Sequence, residues 1–193
     1  MPDDEHSANA ASTNVAQGLA FFTREEAQTI EAAMGRILPA DELGPGAVEA
    51  GELCYLDRAL CGAEMSLQGL YRLGLRKLNS VARERFGRSF AACTSVQQDN
   101  LIDAMARDAL TSFGIAPTSS AFFEALRAHT IEGVFSDPVH GGNRNFAGWR
   151  LLGYPGPQPS YSHAEQQLDA KIVRDRIFTA ADYPLPPDEE GES

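Results

Sequence analysis

Apolar residues recur at three- and four-residue intervals through the first two thirds of the chain, which is the period of amphipathic helices. Ala27, Ile30, Met34 and Ile37 form the first such stripe, and Pro39 follows its end. Thr23 and Glu26 stand just ahead of it at capping-box spacing, with Phe22 placed as a hydrophobic staple. The run Asp41–Gly46 (DELGPG) reads as a turn. Beyond it, Leu53, Leu56 and Leu60 share one face of a second helix, which Pro45 helps to open. The longest stripe spans about Met65 to Phe86 through Leu67, Leu70, Tyr71, Leu75, Leu78, Val81 and Ala82, and Gly87 suits the position after its end. Ser95 and Gln98 make another capping box before Leu101, Ile102, Met105 and Ala109. Pro117 with Ser119 or Ser120 opens a helix through Phe122, Phe123, Leu126 and Thr130, which Gly133 can end.

The periodicity then gives way. Ile131–Gly156 holds six glycines, two prolines, the only tryptophan and an Asp-Pro step, a composition that specifies a shaped, non-helical loop. After Gly156, prolines 157, 159, 184, 186 and 187 interrupt the chain, leaving one weak helical candidate near Ala164–Ile177. No alternating strand pattern occurs. The fold class that follows is all-α: a compact bundle of about five short helices, then a Gly-rich loop and an extended C-terminal arm. Residues 1–20 read as a disordered acidic segment, 21–156 as the helical domain, 157–183 as the arm and 184–193 as a disordered acidic tail. Tyr161, Leu168, Ile172, Val173, Ile177, Phe178 and Tyr183 give the arm enough anchors to wrap a partner rather than trail as a solvated tail.

Composition narrows the partners. The 193 residues carry a net charge of −11, but eight acids lie near the two ends. The 16 basic residues then face 19 acids, so the folded part is close to neutral. No basic, aromatic-interleaved stripe is present to bind nucleic acid. No apolar run approaches the roughly 20 residues needed to cross a bilayer, so direct membrane insertion is not expected. The first twenty residues show neither an apolar export segment nor twin arginines. As written, the chain reads as cytoplasmic, or periplasmic if a twin-arginine leader was removed or a partner carries the signal. Cys54, Cys61 and Cys93 make no disulfide framework. On one helix, Cys54 and Cys61 would lie roughly 10 Å apart, beyond disulfide reach. The three read as small buried hydrophobes, with an interchain bond to a partner as the alternative.

Candidate chemistry is sparse. His6, His129, His140 and His163 are scattered, with no metal-ligand spacing, so no metal site is expected. Gly141-Gly142-Asn143 lacks the strand and helix that a phosphate or dinucleotide loop requires. Asp137 precedes Pro138 and suits a turn, where its side chain bonds backbone amides. A hydrolase built on Asp137 and His140 is the enzymatic alternative. The basic face of the long helix (Arg72, Arg76, Lys77, Arg83, Arg85) reads as solvated. What remains is a surface of large, polar-tipped groups on a glycine frame: His140, Asn143, Arg144, Phe146, Trp149 and Arg150. Trp149 either plugs the core or anchors a partner.

Three blocks carry a resemblance: FFTREEAQTIEAAMGRILPADELGPGAVEAG, then YRLGLRKLNSVARERFGRSF, then FFEALRAHTIEGVFSDPVHGGNRNFAGWRLLGYPG. From about Phe21 to Gly156 the chain resembles the gluconate 2-dehydrogenase subunit 3 family, and the order DP-x-x-GGN, GW, Pro-Gly is the specific part. The resemblance implies a non-catalytic helical subunit without a cofactor of its own. Its expected partner is a large FAD-containing dehydrogenase of the glucose-methanol-choline type. That enzyme would oxidise a sugar, sugar acid or glycoside hydroxyl, with a cytochrome c subunit as a frequent electron acceptor. A transient assembly or export chaperone, absent from the mature enzyme, is the alternative role. Asp137, Pro138, Gly141, Gly142, Asn143, Gly148, Trp149, Pro155 and Gly156 match the family motif. With His140, Arg144, Arg150 and Tyr161 they make up the expected structural or partner-interface set, and no catalytic residue is expected among them.

Overall fold

The computed structural model describes residues 18–171 and 176–183, and its regular structure is helical. Thr23 opens α1 (Arg24–Ile37) with the expected box: its side chain accepts from the Glu26 amide while the Glu26 carboxylate accepts from the Thr23 amide at 3.0 Å. Phe22 is buried beside that first turn. The second expected helix is divided in two. Gly51, at φ +80°, ends α2 (Ala47–Ala50) and starts α3 (Glu52–Cys61), so the chain changes direction where a straight helix was expected.

The long stripe forms a short 3-10 turn over Met65–Leu67, then α4 (Gln68–Phe86), which Gly87 ends at φ +70°. For α5 (Ser95–Ala106) the capping box lies one residue earlier than expected: Thr94 with Gln97, not Ser95 with Gln98. Gln98 is buried and donates to the Phe90 carbonyl at 3.0 Å, so it is engaged elsewhere. Thr118, not Ser119 or Ser120, caps α6 (Ser119–Phe135). That helix runs through Gly133 rather than ending there. Within the expected loop a further helix appears, α7 (Ala147–Leu152).

The buried faces of α1, α3, α4, α5 and α6 meet in one core that includes Ile30, Met34, Leu56, Leu60, Leu75, Leu78, Leu101, Met105, Phe122 and Leu126. Each such side chain contributes about 1.5–3 kcal/mol by leaving water. Polar links fix the register. Asn79 donates to Thr29 Oγ1 at 3.0 Å and accepts from the Phe90 amide at 2.9 Å. Asp57 accepts three backbone amides, from Ala20, Phe21 and Phe22, at 2.7 to 3.0 Å, and so pins the chain ahead of α1 to α3. Two of the arginines expected to be solvated on α4 have partners on α1, where Arg72 pairs with Glu26 and Arg83 with Glu25. Burial alone would raise the Glu26 carboxyl, yet Arg72 and the Thr23 donors bring it below the usual range.

Beyond Gly156 the described residues form turns, without a helix over residues 164–171. Residues 1–17 of the expected acidic segment 1–20, the tail 184–193 and the arm anchors Ile172 and Val173 lie outside the described residues. The end of the arm returns to the domain. The Ala180 amide donates to Asp137 Oδ2 at 2.7 Å, and Phe178 lies against Gly156. Cys54, Cys61 and Cys93 carry no disulfide; Cys93 is buried as expected of a small hydrophobe, whereas Cys61 is exposed. No helix among the described residues is long and apolar enough to cross a membrane.

Candidate functional site

A helix leaves its last four carbonyls without intrahelical donors. At the end of α6 nearby side chains supply donors to two of them and to the carbonyl that follows. Ser136 Oγ donates to the Gly133 carbonyl at 3.1 Å, and Trp149 Nε1 donates to the Phe135 carbonyl at 2.8 Å. Asn143 Nδ2 donates to the Ser136 carbonyl at 2.8 Å, while Asn143 Oδ1 accepts the Gly148 amide at 2.9 Å. That last amide is an orphan donor in the first turn of α7. A single asparagine therefore clamps the end of one helix to the start of the next.

The backbone between them is bent far from helix. Asn143, Asn145 and Phe146 all have φ between +47° and +59°, and for Phe146 this region costs about 1–2 kcal/mol. Asp137 sets the turn before it. Its Oδ1 accepts the Val139 amide at 3.0 Å and caps the 3-10 turn Pro138–His140, while its Oδ2 holds Ala180 of the arm.

The folded loop lies on α3 and α6. Gly142 sits directly against the Gly133 carbonyl and Tyr55 Cβ, with no room for a side chain. Against Gly133 itself lies Glu52, 1% exposed, with neither carboxylate oxygen hydrogen-bonded. Burial pushes its carboxyl up to about 8, and the Asn143 amide pulls partly the other way without reaching bonding geometry. At neutral pH the group is mostly protonated. Neighbouring Tyr55 donates to Glu132 at 3.4 Å, and its phenol is raised by burial and by that carboxylate.

Among the described residues, the candidate reactive groups do not converge. His140 and His163 are exposed, whereas His129 is buried against the Tyr71 hydroxyl at 2.7 Å. Both oxygens of Asp137 are held by backbone amides, which leaves no base aimed at His140. No group of three or more His, Cys, Asp or Glu among the described residues could hold a metal ion. The sequence profile of gluconate 2-dehydrogenase subunit 3 matches residues 24–156.

The chain belongs to the gluconate 2-dehydrogenase subunit 3 family. Neither a curated protein nor a solved structure matches it. In this subunit 3 chain the motif divides by burial. Gly142, Asn143, Gly148, Trp149 and Gly156 are buried, and Trp149, at 4% exposed, is part of the core. His140, Arg144, Arg150 and Tyr161 face outward, with Pro138, Gly141 and Pro155 partly covered. Sequence reasoning missed Glu52, although it stands four residues before Leu56 on the apolar stripe. A lone acid at such a position is the available signal. Ser136 was also missed, and a serine beside a helix end gives little warning.

Proposed function

We propose that this chain is a non-catalytic small subunit that binds and stabilises a large FAD-dependent dehydrogenase oxidising a sugar, sugar acid or glycoside hydroxyl. The observation that carries this reading is how the motif uses its polar groups. Asp137, Asn143, Ser136 and Trp149 bond backbone of the same chain, so the motif maintains a shape rather than a reaction centre. Membership of a family of dehydrogenase subunits gives that shape a partner. The flavin is assigned to the large subunit. The described residues form no strand from which a dinucleotide-binding turn could rise, and Gly141-Gly142 packs on α3 and α6.

Co-expression with a candidate FAD-dependent dehydrogenase large subunit tests the assignment. The isolated chain is expected to show no flavin absorbance and no sugar oxidation, while its presence raises the yield of soluble, FAD-loaded dehydrogenase. Co-elution in the active size-exclusion peak separates a resident subunit from a chaperone that leaves. Flavin bound to the chain alone, or dehydrogenase equally abundant and loaded without it, would contradict the proposal.

A further inference from the structure

Asp137 stands at the entry of the motif and Gly156 at its exit, and one short segment from further along the chain touches both. The Ala180 amide donates to Asp137 Oδ2 at 2.7 Å, while the Phe178 backbone comes so close to Gly156 that any side chain at 156 would strike the Phe178 carbonyl. Asp137 Oδ1 is already committed to the Val139 amide, so the two oxygens tie the turn after α6 to the returning chain. The family match ends at residue 156, so the seat belongs to the family domain and the segment seated on it lies beyond.

That segment has its own shape. The Asp182 carboxylate accepts the Thr179 amide at 2.8 Å and the Thr179 hydroxyl at 3.1 Å, and the Asp182 and Tyr183 amides donate to the Thr179 and Ala180 carbonyls. Arg176 pairs with Asp182 at 2.9 Å and lies over the Phe178 ring, which faces Tyr183 at 5.7 Å between centroids. A turn held in this way loses less conformational entropy on docking than an extended tail does. Ile177 and Phe178, expected as anchors for a partner, are half-buried with this chain alone.

We infer that residues 177–183 are a strap of the domain they follow, seated across Asp137 and Gly156 to hold the entry and exit of the motif together. They are not the end of an arm that wraps another subunit. Two substitutions in the full chain break the same bond from opposite sides. Ala180→Pro removes the donor, yet proline suits the first position of a helical turn, and Thr179 before it already has the extended backbone that proline requires. Asp137→Asn keeps Oδ1 for Val139 and turns an NH2 group toward the Ala180 amide. Hydrogen exchange followed by NMR reads the outcome. A turn this short frays once undocked, so in either variant the Asp182 and Tyr183 amides should exchange roughly tenfold faster. The Gly153 and Tyr154 amides, which bond carbonyls at the end of α7, should exchange roughly threefold faster, while those of α1 are unchanged. The double variant should be no faster than the faster single one, because both substitutions remove one contact. Wild-type rates at 182 and 183 in both variants would overturn the strap, and wild-type rates at 153 and 154 would overturn its hold on the motif. Strap amides that exchange freely in the isolated chain and gain protection only with a bound dehydrogenase subunit would give the segment to the partner and overturn the inference.

Discussion

Glu52 begins α3, where the helix N-terminus favours a negative charge, yet burial against Gly133 outweighs that preference. The consequence is a stability that depends on pH. In the unfolded chain the carboxyl titrates near 4.5, and in the folded chain near 8. Between those values the folded state holds a proton that the unfolded state has lost, so stability falls as pH rises across this window. Below it the residue carries no ionisation penalty, and above it the penalty is complete, on the order of 5 kcal/mol. Glu52→Gln removes the titration and keeps the shape. Thermal melts followed by circular dichroism should show the variant roughly 10–20 °C more stable than wild type at pH 9 and little changed at pH 5. Parallel curves for the two proteins across that range would mean that Glu52 ionises in the folded state without hindrance.

At the scale of elements, the longer helices were legible because their stripes and caps agree. The failures are local and have physical causes. Thr94-x-x-Gln97 and Ser95-x-x-Gln98 are overlapping frames of the same box, and only the burial of Gln98 decides between them. The six-residue α7 has no side-chain cap of its own and starts from a left-handed Phe146, so no start signal precedes it. Its support comes from Asn143, a residue outside the helix. Asn143→Ala strands the Ser136 carbonyl and the Gly148 amide in a buried setting, for an expected loss of about 3 kcal/mol. Asn143→Gly loses the same two bonds but tolerates φ +47°, so it should cost about 1 kcal/mol less. Urea unfolding read by the fluorescence of Trp149 measures both, since that ring bonds the same helix end. Asn143→Ala within 1 kcal/mol of wild type would show that the clamp does not hold α7 in place.

Across the whole molecule, the stripes allowed the helical part of the core to be listed from the sequence, but not Phe90, Leu110 or Phe113, which lie on the connections between helices. Nor did they give the packing order, because periodicity says which face is buried and nothing about what it meets. The rings supply that order. Phe22 meets Tyr71 at 6.3 Å between centroids, Tyr71 meets Phe122 at 5.7 Å, and Phe122 stacks on Phe113 at 6.2 Å. This chain of rings joins the segment before α1 to α4, α6 and the turn ahead of α6. It needs α4 and α6 to approach closely, and Gly74 permits it, because the Phe122 ring occupies the space where a side chain at 74 would begin. Gly74→Ala must therefore displace the ring or push the helices apart, for an expected loss of about 2 kcal/mol. Phe122→Leu vacates part of that space, at about 2 kcal/mol for the lost ring contacts. In the double variant the new methyl enters the vacated volume, so the combined loss should fall short of the sum by about 1 kcal/mol or more. Chemical denaturation of the four proteins closes the cycle. Losses that add to within 0.5 kcal/mol would show that the two helices do not pack through this pair, and the order of rings described above would be wrong at its centre.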